Sequence, residues 1–214
     1  MVDLRLNQRS LLQAVQSLEA RDRHLKMIVS KFGPPPLWER EPGFHTLIHI
    51  ILEQQVSLGS AKAAYEKLLK TIGHLTPDNF LKLSDTTLKA IGFSRQKISY
   101  CRNLAERCSL SAALVEGSFD LSELSRLDDA EAKEQLMKIK GIGSWTADIY
   151  LLMALGRPDV WPNGDLALAV SVQRLKGMPT RPSPEELEAM SLEWQPWRAV
   201  AARILWHFYL SNHT

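Results

Sequence analysis

The residues best suited to chemistry lie in one short segment, where a helix ends, two glycines flank an apolar residue, and an apolar helix begins at once. The segment reads Leu136-Met137-Lys138-Ile139-Lys140-Gly141-Ile142-Gly143-Ser144-Trp145-Thr146-Ala147-Asp148. Gly141 and Gly143 can adopt positive φ and leave no side chain in the way. The amides of the turn and of the next helix N-terminus can then bind an anion such as a phosphate. Lys138 and Lys140 add positive charge, so the spacing favours phosphate binding, with a plain helix-ending turn as the alternative.

The composition is that of an ordinary globular protein. The chain has 214 residues, of which 45% are hydrophobic and 23% are charged, and this excludes a wholly disordered chain. No apolar run approaches the ~18 residues that a membrane span needs. The formal charge of +2 is too small to indicate a nucleic-acid partner by itself, but it is compatible with a local basic patch.

Cysteine usage and the N-terminal residues bear on cofactors and location. Cys101 and Cys108 are the two cysteines of the chain. Two thiolates cannot supply the four that an iron–sulfur cluster or an all-thiolate zinc site requires, so we expect no such cluster. The opening residues MVDLRLNQRS lack the apolar core of a signal peptide, and we therefore expect a cytoplasmic protein without a membrane partner.

The elements that must position these residues are helices, because apolar residues recur at three- and four-residue steps nearly everywhere. No segment alternates with period two for long enough to predict a strand. We predict an all-α chain of about ten helices, the first a single helix over residues 8–31. Helices over 43–55 and 59–71 follow. A boundary between two lobes is placed in the Gly-Pro-rich stretch 33–43, within a single domain spanning 1–214.

Four segments of the sequence resemble one known family. The pattern Leu-x-x-Ile-x-Gly-Ile-Gly-x-Trp-Thr-Ala resembles the helix-hairpin-helix of the DNA glycosylase superfamily. The other three are the helix from Phe44 that ends in Gln-Gln-Val-Ser, the loop 159–165, and the segment Trp194-Gln195-Pro196-Trp197-Arg198 with Trp206. Together they are similar to the alkylpurine branch, the 3-methyladenine DNA glycosylase II group, in its short form. The resemblance covers roughly residues 44–206 and implies a two-lobed helical fold with its hairpin at 136–148.

The resemblance implies how the protein holds DNA. In the family the hairpin binds backbone phosphates of double-stranded DNA without reading sequence. The matching positions are Gly141, Gly143, Ser144 and Thr146. Gln55 falls on the wedge that fills the gap left by an extruded nucleotide, with a solvated helix end as the alternative. The family also binds a potassium or sodium ion through hairpin carbonyls, which correspond to those of Met137, Ile139 and Ile142.

The resemblance also implies a catalytic residue and a base pocket. Asp165 falls on the family's essential aspartate, and it could equally cap the helix that follows, since the two roles are compatible. Trp206 falls where the family stacks an indole on the flipped base, and Trp145 could form another wall. An indole face suits a cationic alkylated purine. Burial in the core is the alternative for each tryptophan.

The implied reaction is hydrolysis of the N-glycosidic bond of alkylated purines such as 3-methyladenine and 7-methylguanine in base excision repair. The deoxyribose becomes positively charged as this bond breaks, and a carboxylate at Asp165 would stabilise that charge. Related glycosylases that also cut the strand place a lysine where this chain has Trp145. We therefore expect a monofunctional, monomeric enzyme in which water is the nucleophile.

Two other classes remain open from the sequence. A non-catalytic DNA-binding module would use the hairpin alone and would bind phosphate without dependence on Asp165. A helical interaction protein would use Gly-Ile-Gly merely as a turn. Salt-sensitive DNA binding separates the second class from the others, and release of a free base separates the enzyme from the module.

Overall fold

The computed structural model describes residues 5–109 and 119–212, and every regular element in these ranges is helical. The first four residues, part of the segment used above to infer location, lie outside this description. The twelve α-helices of these ranges are α1 Gln8–Arg21, α2 Arg23–Phe32, α3 Phe44–Glu53, α4 Leu58–Ile72, α5 Pro77–Leu81, α6 Asp85–Ile91, α7 Arg95–Cys108, α8 Asp129–Met137, α9 Ser144–Met153, α10 Leu166–Lys176, α11 Pro184–Ser191 and α12 Arg198–Ser211. The predicted all-α class is confirmed.

The prediction of one opening helix over residues 8–31 is wrong, because the chain breaks at Asp22. This residue has an extended backbone with φ −126°, and its carboxylate accepts hydrogen bonds from the amides of His24 and Leu25. Asp22 therefore ends α1 and caps α2. The apolar period continues through both helices, and a side chain that competes for backbone amides interrupts it.

The helices form two compact units, which are described separately. The central unit comprises residues 40–150, and the terminal unit comprises residues 1–39 and 151–214. One boundary lies between residues 39 and 40, in the Gly-Pro-rich stretch. The other lies between residues 150 and 151, within α9, where nothing in the composition marks it.

The central unit is built around α3, which packs against α4 and α7. Its sequence FHTLIHIILE is apolar on nearly all faces, and seven of its ten residues are buried. A helix of this kind must lie inside a core rather than on a surface. Phe80 of α5 is fully buried and meets Phe44 edge to face, with the ring centroids 6.1 Å apart. This core holds α3 in place.

The terminal unit is built around α12, which packs against α10, α2 and α1. All residues from Ala199 to Trp206 are buried, including the charged Arg203. The Arg203 guanidinium donates hydrogen bonds to the carbonyl oxygens of Leu37, Ala199 and Leu152 at 2.8–3.0 Å. Burial lowers the pKa of Arg203 to about 10. Three carbonyl acceptors therefore compensate this group for its lost hydration.

No helix in the described part of the chain is long and apolar enough to cross a membrane.

Candidate functional site

A tight turn in the terminal unit presents Asp165 at the start of α10. The Asp165 amide donates to the carbonyl oxygen of Pro162 at 3.3 Å, and Gly164 between them has φ 79°. A residue with a Cβ rarely adopts that conformation, which explains the glycine. The turn thus aims the aspartate side chain back over the first turn of the helix.

The Asp165 carboxylate is held by two donors. Its Oδ1 accepts the amide of Leu168 at 3.0 Å and the indole Nε1–H of Trp206 at 3.1 Å. The residue is 9% exposed. An ionised carboxylate is purely an acceptor, so it fits between two N–H groups. The capping role that the sequence left open is present, and it fixes the direction of the charged group.

Trp206 lies nine-tenths buried on α12, and its indole N–H points at Asp165. The structure thus brings these two sequence-predicted residues together. The hydrogen bond itself was not anticipated. The residues are 41 positions apart on different helices, and no local pattern indicates that they meet. Trp206 can therefore orient the carboxylate in addition to any contact of its ring with a base.

A small cavity of about 270 Å³ opens beside this carboxylate. Its walls are formed by Gly164, Asp165, Leu166, Ala169, Arg181, Pro182, Pro184 and Leu187. Most of these side chains are apolar, and Asp165 and Arg181 are the charged members of the set. A carboxylate at an apolar wall interacts more strongly with a nearby positive charge than it would in water. Asp165 is therefore the group of this set that can stabilise a cation.

The neighbouring carboxylate of Asp159 is engaged differently. It accepts hydrogen bonds from the main-chain amide of Arg198 at 3.2 Å and from the Arg198 guanidinium at 3.0 and 2.9 Å. Such a forked pair satisfies both carboxylate oxygens and fixes their geometry. Asp159 therefore fastens its loop to the N-terminus of α12.

In the central unit the hairpin joins the end of α8 at Met137 to the start of α9 at Ser144. Its two glycines differ. Gly141 has φ 90°, and a Cβ at this position would overlap the ring of Tyr100. Gly143 does not use positive φ, is exposed, and would place a Cβ in open space. Gly141 is therefore required for packing, whereas Gly143 leaves the surface of the turn open to a ligand.

The hairpin forms one wall of a groove of about 770 Å³ in the central unit. The lining residues come from the end of α3, the start of α7 and the hairpin: Gln54, Gln55, Val56, Gly92, Ser94, Gln96, Lys97, Tyr100 and residues 137–143. Lys138 and Lys140 of this wall are exposed. Polar side chains, glycine backbone and lysines together make a surface that can accommodate a phosphate chain.

The predicted backbone-binding residues Ser144 and Thr146 lie in the first turn of α9, whose amides have no partner within the helix. The Ser144 hydroxyl donates to Asp148 Oδ2 at 3.3 Å, and Asp148 is ion-paired with Lys133 at 2.8 Å. The Thr146 side chain is buried. These side chains therefore serve the fold, and the main-chain amides are the groups suited to an anion.

Gln55 follows the end of α3 in an exposed turn. Its φ of 57° is uncommon for a residue with a Cβ. The preceding residue, Gln54, points the other way: its Nε2 donates to the Gly141 carbonyl at 3.0 Å and to the Thr146 hydroxyl at 2.9 Å. The sequence motif contains both glutamines but does not indicate this link, because the bonded residues are 87 and 92 positions apart.

The remaining predicted positions are also located. Trp145, the second residue of α9, is half-buried. The Ile139 carbonyl accepts the amide of Ile142 at 3.0 Å, and both residues line the groove with Met137.

Among the described residues no group of three His, Cys, Asp or Glu side chains is arranged to hold a metal ion. Burial raises the pKa of the Cys108 thiol to about 11.

Comparison with protein families gives a match over most of the chain. A family model described as "HhH-GPD superfamily base excision DNA repair protein" matches residues 48–196. This range contains the hairpin, the turn after α3, Asp165 and the segment up to Pro196.

Individual relatives agree with this match. DNA-3-methyladenine glycosylase 1 of Schizosaccharomyces pombe is 30% identical over 196 residues, which cover 90% of this chain and 83% of that protein. Alkylbase DNA glycosidase-like protein mag2 of the same organism is 29% identical, with 91% and 92% covered. The solved structure of the S. pombe 3-methyladenine DNA glycosylase Mag1 in complex with abasic DNA matches with a TM-score of 0.80 at 28% identity, covering 91% of this chain and 95% of that one. The family resemblance seen in the sequence motifs is confirmed.

Proposed function

Because the chain belongs to the HhH-GPD superfamily of base excision DNA repair proteins, we propose that it is a monofunctional DNA glycosylase that removes alkylated purines from double-stranded DNA. The observation that carries the proposal is the Asp165 carboxylate, nine-tenths buried and fixed by two N–H donors. The names of the relatives, which are 3-methyladenine and alkylbase glycosylases, support the substrate class.

The reaction breaks the bond between C1′ of the deoxyribose and a purine nitrogen. The bonding electrons leave with the base, and the sugar becomes a cation in which C1′ and the ring oxygen share the charge. Asp165 stabilises this cation electrostatically, because its charge is already oriented before the reaction begins. Water adds to C1′ and loses a proton, which Asp165 can accept. A purine alkylated at N3 or N7 is already cationic and leaves as a neutral molecule, so no strong general acid is needed.

Trp206 contributes to this mechanism in two ways. Its N–H holds the carboxylate, so the negative charge does not have to be reoriented in the transition state. By the family resemblance its indole face would stack on the flipped base, and such a face attracts a cationic purine. Trp145 is proposed as a second wall of the base pocket from its place in the family motif.

The groove of the central unit is proposed to bind the DNA backbone. Gly143 and the first amides of α9, at Ser144 and Thr146, contact phosphate, and Gly141 shapes the turn that presents them. Gln55 fills the space that a flipped nucleotide leaves in the duplex. Extrusion is easiest where damage has weakened pairing, which gives part of the selectivity.

A monovalent cation at the hairpin fits this account. The carbonyls of Met137, Ile139 and Ile142 are oxygen donors of the kind that potassium and sodium bind. Ile139 already accepts one amide and retains a second lone pair. When bound, the ion would add positive charge to the phosphate-binding turn. No other cofactor is required by the proposed reaction.

Strand cleavage is not part of the proposal, because Trp145 stands where lyase-type relatives have a lysine. Without a Schiff base, borohydride should trap no covalent adduct between protein and DNA. The protein is proposed to act as a monomer on cytoplasmic, nucleoid-associated DNA.

The direct test is incubation with methylated duplex DNA, followed by identification of the released bases. We expect free 3-methyladenine and 7-methylguanine, with intact strands until alkali is added. DNA binding without any released base would indicate a binding module. Release accompanied by strand nicks and a borohydride-trapped adduct would contradict the monofunctional mechanism.

A further inference from the structure

The exposed turn at the end of α3, formed by residues 54–57, is anchored from two sides. On one side Lys97 Nζ donates to the Leu52 carbonyl at 2.6 Å, at the last turn of the helix. On the other side the Gln54 amide reaches the hairpin. The turn therefore does not project freely from the helix end, although Gln55 within it is exposed.

Gln54 uses both hydrogens of its amide nitrogen on the hairpin. One goes to the carbonyl of Gly141, in the turn itself, and the other to the hydroxyl of Thr146, in the first turn of α9. Gln54 thus spans the turn and the helix that follows it. The Gly141 backbone lies against the Tyr100 ring, so closely that a Cβ at this position would overlap the ring.

Gln55 depends on this anchor for its position. Its left-handed backbone, φ 57°, is costly for a residue with a Cβ and persists only where the surroundings enforce it. The anchored Gln54 side chain immediately before it supplies such a constraint. Gln54 thus points into the hairpin, and Gln55 next to it is exposed to solvent.

We propose that Gln54 is a positioning residue that joins the turn at 54–57 to the hairpin. Binding of the DNA backbone by the hairpin and insertion of Gln55 into the space left by the flipped nucleotide then occur together. The inference rests on the proposed roles of Gln55 and the hairpin. It adds that these roles are energetically coupled through a residue whose side-chain amide nitrogen is engaged with the protein itself. Without the coupling, a flexible turn would pay an ordering cost each time it entered the duplex.

Binding measurements without chemistry test this inference independently of the proposed enzyme activity. The probes are an intact duplex and the same duplex with a tetrahydrofuran abasic-site mimic, and the quantity is the ratio of their affinities. Gln55→Ala should lower this ratio. Gln54→Met, and the isosteric Gln54→Glu that lacks the amide donor, should lower it to within about twofold of the Gln55→Ala value. Thr146→Val, which removes one of the two acceptors, should lie between these variants and the parent.

The double variant Gln54→Met/Gln55→Ala tests whether the effects of the two residues are coupled. If the residues act as a unit, it should be no worse than either single variant within about twofold, since independent effects would multiply. Gln173→Met is the matched control and should leave the ratio unchanged, because this half-buried glutamine of α10 donates to a carbonyl outside the hairpin, that of Pro179. Melting temperatures are recorded for every variant, and Thr146→Val keeps the test open if the Gln54 variants do not fold.

Multiplicative effects in the double variant would overturn the proposal. So would a Gln54→Met or Thr146→Val protein that keeps the parental ratio. A parent protein that shows the coupling but releases no methylated base would contradict the proposed function while leaving this inference intact.

Discussion

The two units of the molecule carry opposite kinds of site. In the central unit the candidate groups are exposed: a groove with lysines, a bare glycine at 143, and a glutamine turned into solvent at 55. In the terminal unit they are buried: Asp165 and Trp206 are each 9% exposed and bonded to one another. One site is built from backbone and polar surface, and the other from an oriented charge.

This difference fits the role that we propose for each site. A phosphate chain is large and already charged, and an accessible backbone with exposed lysines can bind along it. A transient sugar cation is small, and a fixed carboxylate in an apolar setting stabilises it most. Substitutions in the two units should therefore produce different defects, and each prediction below tests that separation.

Asp165→Asn should give the largest effect, which is a loss of catalysis. The amide keeps the shape and a capping oxygen but removes the charge, and excision of 7-methylguanine should fall ~10²–10³-fold or more. Single-turnover rates on saturated DNA measure this. Asp159→Asn is the control: it weakens the pair with Arg198 and lowers the melting temperature, but the rate per folded molecule should stay near that of the parent. A slow Asp159→Asn beside an unaffected Asp165→Asn would move the catalytic role to residue 159.

Trp206→Phe should give the next largest effect. Phenylalanine keeps an aromatic ring but cannot donate to Asp165, and a hydrogen bond to a charged group is worth roughly 1.5–3 kcal/mol. We expect a fall in the single-turnover rate of about tenfold or more, with little change in affinity for abasic DNA. Loss of affinity with an unchanged rate would mean that Trp206 acts through stacking alone.

Substitutions at the two glycines of the hairpin should have different effects, one on stability and the other on DNA binding. Gly141→Ala introduces a Cβ into the Tyr100 ring at positive φ and should cost at least ~1–3 kcal/mol, lowering the melting temperature. Gly143→Leu projects into open space and should leave the melting temperature unchanged. It should weaken binding to intact and abasic duplex alike, by about tenfold if one bond to a phosphate is lost. A Gly143→Leu protein that binds normally would remove the hairpin from the DNA interface.

The smallest effect concerns pH and His49 of α3. This imidazole stacks on Tyr65 with ring centroids 4.2 Å apart and lies 3.6 Å from Glu53. Burial lowers its pKa, with Arg40 acting in the same direction and Glu53 opposing. The folded state therefore favours neutral His49, and stability is lost as pH falls through and below the ordinary histidine range near ~6.5.

His49→Gln should remove that dependence. Between about pH 7.5 and about pH 5.5, the parent should lose up to ~2–4 °C more in melting temperature than the variant. A variant that loses as much as the parent would show that other groups carry the acid sensitivity.

The sequence predicts the local features of both sites but not the contacts between residues that are far apart in the chain. Helix period and cap residues locate most elements, and Gly-Ile-Gly marks the hairpin, because these signals act between near neighbours. The break at Asp22 was missed because the apolar period runs across it. The bonds from Gln54 to Thr146 and from Trp206 to Asp165 join residues 92 and 41 positions apart, and only packing of helices creates them.

The division between DNA binding and catalysis is tested most directly by measuring two quantities on two variants, Asp165→Asn and Gly143→Leu. The quantities are the affinity for duplex DNA with an abasic-site mimic and the single-turnover excision rate on saturated methylated DNA. We predict that Asp165→Asn keeps the affinity and loses the rate by ~10²-fold or more, whereas Gly143→Leu loses affinity and recovers most of the rate at saturation. If both variants instead lose affinity and rate in parallel, the two units do not divide the work in this way.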